Sequence, residues 1–318
     1  MALIALLCLC GCAQLGGTSL PEWFKNGLKV GPNYQRPAAN VAEQWIEADD
    51  PHVVSQSADH SQWWTVLNDP TLDMLVQMAY QQNLPLRVAA LRVMESRAQL
   101  GVARGNFFPQ QQQFFGEYQR SQISRNTSVS RRFNNLPPGL GSIGIPRTSN
   151  LWSVGFDAAW ELDIWGRFRR NIEAANASLD ATIEDYDSVL VTLIGDVAAT
   201  YVEYRTFEQR LEYARQNIKI QKGSLELAEV RFENGATTEL DVQQARSTLA
   251  NTEAALPALD AFRRQAANRL CILLGMPPQD LANLVGQQKT IPDAPAEVVV
   301  GIPADLLRRR PDVRQAER

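Results

Sequence analysis

Long apolar runs are missing from this 318-residue chain: nothing in it approaches the roughly 20 apolar residues that a membrane-spanning helix needs. Any membrane-spanning part must therefore be a β-barrel, the other structure that pairs every backbone polar group within lipid. Histidine is nearly absent. His52 and His60 are the 2 present, both in a polar N-terminal segment without metal-ligand company, so no metal site is expected. There is no phosphate loop, no HExxH and no nucleophile elbow, so neither a cofactor nor a catalytic residue is expected. Positive charge is in deficit: 31 Lys and Arg stand against 35 Asp and Glu, a net charge of −4. With a pI near 5.4, this argues against a nucleic-acid partner, which normally needs a basic face. Of the 4 cysteines, Cys8 and Cys10 fall in the leader; its removal leaves Cys12, expected to be acylated, and Cys271, a packing residue beside Leu270. No disulfide framework exists.

What is present begins with residues 151–164, which alternate without an error. Trp152, Val154, Phe156, Ala158, Trp160, Leu162 and Ile164 share one face. Leu151, Ser153, Gly155, Asp157, Ala159, Glu161 and Asp163 share the other, which after its first residue is small or acidic. Period 2 is the side-chain period of a β-strand. At about 3.3 Å per residue the run reaches roughly 46 Å, longer than soluble strands usually are. A membrane barrel strand needs about 9–11 residues, apolar outward and polar inward. Taken alone, the run also fits a half-buried strand of a soluble sheet. Asp157, Glu161 and Asp163 fit either a carboxylate pair for acid–base chemistry or the wet lining of a lumen, and the lumen is the better match.

The sequence that follows decides between these readings. From Ile183 every seventh residue is apolar or aromatic, through Leu190, Val197, Tyr204, Leu211, Ile218, Leu225 and Phe232. A companion position three residues on carries Tyr186, Leu193, Thr200, Phe207, Ala214, Gln221 and Ala228. No proline interrupts the pattern, and a sustained 3.5-residue repeat imposes a left-handed supercoil. A helix from near Arg167 to near Asn234 is roughly 100 Å long at 1.5 Å per residue, far beyond a normal globular helix. Asn234-Gly235 supplies the stop. A second helix follows through Val242, Ala245, Leu249, Thr252, Leu256, Leu259, Ala266, Leu270 and Leu273, with a kink expected at Pro257 and an end at Gly275-Met276-Pro277-Pro278. The short connection makes the two helices an antiparallel hairpin. A soluble sheet does not hand over to such an element, so the barrel strand is preferred, with Trp152, Val154, Phe156, Trp160 and Leu162 facing lipid.

At the N-terminus, Leu3 to Cys10 is a signal-peptide-like apolar core, and Leu9-Cys10-Gly11-Cys12 looks like a lipobox in which Cys12 becomes an acylated first residue. No Lys or Arg precedes the core. An extended lead, Val30-Gly31-Pro32-Asn33-Tyr34-Gln35-Arg36-Pro37, comes next. Helices are expected from about Thr71 to Gln82 and on to about Gly105, with a weaker strand over residues 107–123 that carries Phe114, Gly116 and Tyr118 on one face. Asn83-Leu84-Pro85-Leu86-Arg87-Val88-Ala89 is weakly echoed by Arg310-Pro311-Asp312-Val313-Arg314-Gln315-Ala316. The echo opens a second copy of the unit, so the chain is expected to be part of a longer, two-repeat protein.

These residues, together with Trp160-Glu161-Leu162-Asp163-Ile164-Trp165-Gly166-Arg167 and the run from Ile302 through Arg308-Arg309-Arg310-Pro311 to Arg314, resemble the TolC-like outer membrane efflux lipoproteins. Arg231-Phe232, Gly235 and Leu240-Asp241-Val242 match that family's hairpin-tip pattern. The resemblance covers the first of the family's two repeats. It implies a mainly α fold with a transmembrane β-hairpin, in which three copies build a trimeric α-barrel and share one outer-membrane β-barrel. The implied domains are a signal peptide (1–11), a lipidated extended segment (12–66), periplasmic helices (67–106), an outer-membrane hairpin (107–165) with an extracellular loop (124–150), a long α-hairpin (166–278), an equatorial-type segment (279–301) and the start of a second repeat (302–318). The implied function is a duct for drugs or other small solutes in a homotrimer anchored in outer-membrane lipid. Its partners would be a periplasmic adaptor protein and an inner-membrane efflux transporter. Gly235, Ala236, Thr237 and Thr238 would form the adaptor-docking tip, and Asp241 would help hold the periplasmic aperture shut. Gly235 is equally a helix C-cap, and Asp241 equally a first-turn charge favoured by the helix dipole. A lipid-anchored periplasmic adaptor, which also carries a long α-hairpin, is the alternative.

Overall fold

A computed structural model describes residues 20–36, 50, 53–54, 61–124, 126–128, 148–286, 290–293, 298–299 and 307–318. The signal-peptide and Cys12 readings, and most of the 124–150 loop, lie outside the described residues. The chain divides into two compact units, Met1–Tyr34 with Gln99–Ala175 and Gln35–Ala98 with Asn176–Arg318. Among the described residues no helix is long and apolar enough to cross a membrane.

In the second unit, a 3-10 turn at Trp63–Leu67 leads to helix α2 (Pro70–Gln82), the helix α1 (Leu20–Lys25) belonging to the first unit. Asp69 caps α2 by accepting the N–H groups of Thr71 (2.8 Å) and Leu72 (3.3 Å), and Pro70 occupies the first turn, where no donor is needed. The buried residues Leu72, Leu75, Val76 and Ala79 form one helical face. Asn83 both breaks and restarts the helix. Its Oδ1 accepts from Leu86 N–H (2.9 Å) at the head of α3 (Leu84–Gly105), and its Nδ2 donates to the carbonyl of Leu273 (2.9 Å).

The long helix α4 (Arg167–Glu233) and its successor α5 (Glu239–Leu273) run antiparallel, as the ion pairs Glu229–Arg246 (3.0 Å) and Lys222–Glu253 (3.1 Å) and the stacked rings of Phe207 and Phe262 show. The helical run continues through Pro257 without interruption. Pro257 is exposed, and the carbonyl left without a donor belongs to exposed Glu253. The core joins the middle of α4 (Leu193, Val197, Tyr201, Tyr204) to the inner face of α2 and the end of α5 (Ala266, Leu270, Cys271). At the close of α5, Gly275 adopts φ +70°, and Met276 N–H reaches back to Cys271 O at 2.9 Å. A Cβ there would lie 2.3 Å from Gln82 O, so glycine is required by close approach as well as by conformation.

The same unit holds a buried polar chain. Tyr201 O–H donates to Asp69 (2.6 Å), while the fully buried Arg205 donates to Tyr201 O (3.2 Å), Glu208 (2.9 Å) and Val285 O (2.7 Å). It ties the cap of α2 to α4 and to the short helix α6 (Ala282–Val285). A parallel ladder pairs β1 (Val53–Val54) with β4 (Val298–Val299). Helix α7 (Pro311–Glu317) meets α4 through Arg314–Glu184 (2.5 Å).

The first unit is built on β2 (Gln111–Gln122) and β3 (Thr148–Ala159), antiparallel in unbroken register from Gln111↔Ala159 to Gln122↔Thr148. The strand expected over 151–164 is therefore shifted. It takes in residues 148–150, assigned above to the loop, and stops at Ala159.

Candidate functional site

The register sets Phe114 opposite Phe156, Gly116 opposite Val154 and Tyr118 opposite Trp152. Both strands thus contribute their apolar sets to one face, as the alternation requires. The Tyr118 and Trp152 rings pack at 4.5 Å, and the Tyr118 hydroxyl donates to Asn150 at 3.1 Å. Among the described residues nothing covers this face. Trp152 is 74% exposed, Val154 70% and Phe156 64%, a contiguous apolar surface that water would not tolerate without purpose.

The opposite face is wet, with Gln113 beside Asp157, Glu117 beside Ser153 and Ser121 hydrogen-bonded to Ser149 (2.6 Å). Phe115 is its one large aromatic. The ring lies over Gly155, where a Cβ would come within 2.5 Å of it, so glycine makes room for the ring.

Trp160 and Leu162 lie beyond the strand's end, although both are exposed. The backbone leaves the ladder there because other groups claim it. Trp160 Nε1 donates to Phe107 O (3.1 Å), and the amide of Glu161 donates to the Gln110 side chain (2.8 Å). Glu161 pairs with Arg167 at 2.8 Å. Asp163 accepts the N–H groups of Phe168 (3.1 Å) and Arg169 (3.0 Å), which caps α4. The three carboxylates are thus parted: Asp157 stays on the wet strand face, whereas Glu161 and Asp163 build the turn into α4.

Two residues that the sequence reading did not single out, Arg169 and Arg170, bind the N-terminal lead. Arg169 donates to the carbonyls of Gly27, Leu28 (3.4 Å) and Asp163 (2.5 Å). Arg170 donates to the carbonyls of Val30 (3.2 Å), Gly31 (2.7 Å) and Pro32 (3.2 Å) and to Glu173 (2.7 Å). Val30 N–H returns a bond to Trp165 O (3.2 Å). Gly166, at φ +79°, lets the lead approach so closely that a Cβ would meet Lys29 Cα at 2.7 Å. The Val30-Gly31-Pro32-Asn33 and Trp165-Gly166-Arg167 segments are therefore two halves of one clamp. A signal existed in the sequence: Arg167, Arg169 and Arg170 crowd a helix N-terminus, where the dipole disfavours cations unless carbonyls or carboxylates receive them.

At the other end of α4, Gly235 adopts φ +73° and Ala236 N–H reaches Arg231 O at 2.8 Å, a Schellman stop. Among the described residues nothing lies within 4 Å of a Cβ built on Gly235. Ala236 and Thr238 are exposed and Thr237 half-buried, while Leu240 stands 74% exposed beside them. Asp241 occupies the third position of α5 and accepts from the Thr237 hydroxyl, the Thr238 N–H (3.2 Å) and the Thr238 hydroxyl (3.0 Å). These bonds, that from Thr237 foremost, hold its carboxyl below the ordinary range for aspartate. The cap role of Asp241 and the C-cap role of Gly235 are thus both realised, and the tip residues named above stand together at one turn.

A model of the outer membrane efflux protein family matches residues 75–276. The chain is 32% identical over 295 residues to nodulation protein T of Rhizobium leguminosarum bv. trifolii, covering 92% of this chain and 59% of that protein. It is 33% identical over 300 residues to the solvent efflux pump outer membrane protein SrpC of Pseudomonas putida, again covering 92% and 59%. The solved outer-membrane channel OprN superposes with a TM-score of 0.75 at 31% identity, over 91% of this chain and 61% of that one. The mainly helical fold, with the β2–β3 hairpin among the described residues, matches part of the fold of these channels. The chain spans about three fifths of the length of the relatives it matches.

Proposed function

Because the chain belongs to the outer membrane efflux protein family, we propose that it supplies the first of two repeats of an outer-membrane duct protomer. Three protomers would share a barrel to which β2 and β3 contribute two strands each time, and α4–α5 would form part of a periplasmic α-barrel. The observation that carries this reading is the strand pair itself: one face is apolar and uncovered, the other polar, and the pair hands over directly to a helix of 67 residues. The duct does no chemistry. Small solutes pass through it when it is joined to a periplasmic adaptor and an inner-membrane transporter, and the naming of SrpC for solvent efflux supports cargo of that kind. Residues 1–11 would be removed as a signal peptide and Cys12 acylated, with residues 124–150 outside the cell and residues 279–301 at the equator. The turn at Gly235, Ala236, Thr237 and Thr238 would meet the adaptor, and Asp241 would help close the aperture.

In outer-membrane fractions the full-length protein is expected as heat-resistant trimers. A soluble monomer would sink the proposal, and would also leave the adaptor alternative standing. Gly235→Trp is expected to abolish efflux with trimers intact, because no atom of the described residues lies within 4 Å of a Cβ built on Gly235. Gly235→Asn, which tolerates the left-handed conformation, should retain it. Normal efflux in Gly235→Trp would refute the docking role.

A further inference from the structure

Among the described residues of the first unit a second apolar surface stands uncovered, at the α4 end of the strand pair. Phe24, Phe108, Trp160, Leu162, Ile164 and Trp165 are each more than half exposed there. They are held rather than trailing. Trp23, in the six-residue α1, packs its ring against Trp165 (5.8 Å) and edge-on against Phe24 (5.0 Å). The residues that follow α1 are gripped by the Arg169 and Arg170 clamp. Trp160 is tied to the turn that precedes β2 through Phe107 O, and the Phe107 and Phe108 rings pack at 5.9 Å. Lys25 ends α1, is exposed, and has no ionic partner among the described residues.

The spacing of the aromatics defines what this surface meets. From Trp152, paired with Tyr118, to Trp160 the chain advances about 26 Å at 3.3 Å per residue, or about 20 Å in height at a barrel-strand tilt near 40°. Outer-membrane barrels carry an apolar band of about 25 Å with aromatic girdles at both rims. Trp152 and Tyr118 then mark one rim, and Trp160, Trp165, Phe24 and Phe108 lie at the other. Lysine beside exposed tryptophan and phenylalanine suits a headgroup layer, where rings reach the acyl boundary and the ammonium meets phosphate. Lysine is depleted in protein–protein interfaces, which argues against a protein as the cover.

We propose that α1 and the 160–166 turn form an interfacial foot seated in the phospholipid headgroups of the membrane's periplasmic leaflet. Phe24 and Trp165 dip toward the acyl chains, and Lys25 pairs with lipid phosphate. The foot is a second lipid contact, built from side chains and independent of acylation at Cys12. It rests on the duct reading above.

The test uses the full-length protein in vesicles of phosphatidylethanolamine and phosphatidylglycerol, with bimane on Phe24→Cys and, separately, on Val154→Cys. Phe24 is exposed, so its replacement removes no core contact. Cys271 is buried and escapes the label. The expected result is at least twofold quenching of both labels by lipids bearing a shallow nitroxide, with the label at position 24 shielded from iodide in the aqueous phase. Quenching at position 154 alone, with position 24 open to iodide, overturns the foot and leaves the duct standing. A position-24 label shielded from both quenchers means a protein covers the surface, which also overturns it. If position 154 escapes lipid quenching, the duct reading itself fails and the foot fails with it.

Discussion

Arg205 offers the sharpest test of how the second unit is held together. Arg205 is 1% exposed, and its guanidinium satisfies three acceptors on two elements: Tyr201 one turn back and Glu208 one turn on in α4, and the carbonyl of Val285 in α6. In Arg205→Met the aliphatic volume is kept and the donors are lost. The Val285 carbonyl, on a residue 1% exposed, then lacks its partner, a loss of about 1–3 kcal/mol. Glu208, with a side chain only 15% exposed, is left as an uncompensated charge. Breaking one side of a buried ion pair costs about 3–5 kcal/mol. The two effects share one cause and do not add, so about 3–5 kcal/mol is the expected total. Cys271 provides the assay, because it is fully buried in the core cluster that Tyr201 also joins. Maleimide reaches its thiol only when the unit opens, and mass spectrometry of the Cys271 peptide follows the rate. At 1.4 kcal/mol per decade, about 3 kcal/mol speeds labelling about a hundredfold. Arg205→Lys should fall between, because an ammonium keeps the charge but not the fork. Adding Glu208→Gln to Arg205→Met should recover about 1 kcal/mol by removing the stranded carboxylate. A change in labelling of less than about fivefold in Arg205→Met would refute the reasoning.

Phe156→Arg places a charge in the middle of the uncovered face, where a lipid-facing cation costs about 2–4 kcal/mol. The heat-modifiable band on gels is expected to weaken strongly, while Asp157→Arg on the wet face assembles normally; equal outcomes for the two would count against the assigned faces. Asp241 predicts a pH effect at the tip. Its folded carboxyl titrates below the ordinary aspartate value, so its contribution is complete above about pH 4 and fades as the solution is acidified through the lowered folded value. Hydrogen exchange at the Thr238 amide should be pH-independent in protection from pH 7 to 5 and less protected at pH 2.5; protection already lost between pH 7 and 5 would contradict the assignment.

The parts of the fold that follow from periodicity were legible in the residues. The helix expected from near Arg167 to near Asn234 spans Arg167–Glu233, because heptads and a glycine stop are local signals. The antiparallel hairpin followed from the brevity of its turn. The faces of β3 were legible as well, since a period of 2 admits only two assignments. Less visible was anything that depends on distant segments meeting. The Arg205 network joins residues from Asp69 to Val285, and no spacing rule links them. Arg169 and Arg170 drew no role from their spacing, because the carbonyls of Gly27 to Pro32 that they bind lie far upstream in the chain. The helical run of α5 carries on through Pro257, which lies on the solvent side, where losing one donor matters little.

The end of β3 shows why the alternation overran the strand. Trp160, Leu162 and Ile164 continue the apolar period after the ladder stops at Ala159, so side-chain pattern and backbone pairing part company at that point. Within hydrocarbon such a parting is forbidden, because each unpaired backbone group costs several kcal/mol and lipid offers no substitute partner. In residues 160–170 the backbone is served by other means: Gln110 takes the amide of Glu161, Asp163 takes two amides of α4, and Arg169 takes the Asp163 carbonyl. Those partners are side chains with charge or polarity, which belong in a headgroup layer rather than among acyl chains. The apolar side chains of the same residues still need an apolar neighbour. A segment with polar-served backbone and lipid-seeking side chains fits one depth of a bilayer, the interface. The switch from strand to helix is therefore placed where a membrane's edge would fall, and the clamp that holds α1 beside it extends that edge into the N-terminal lead.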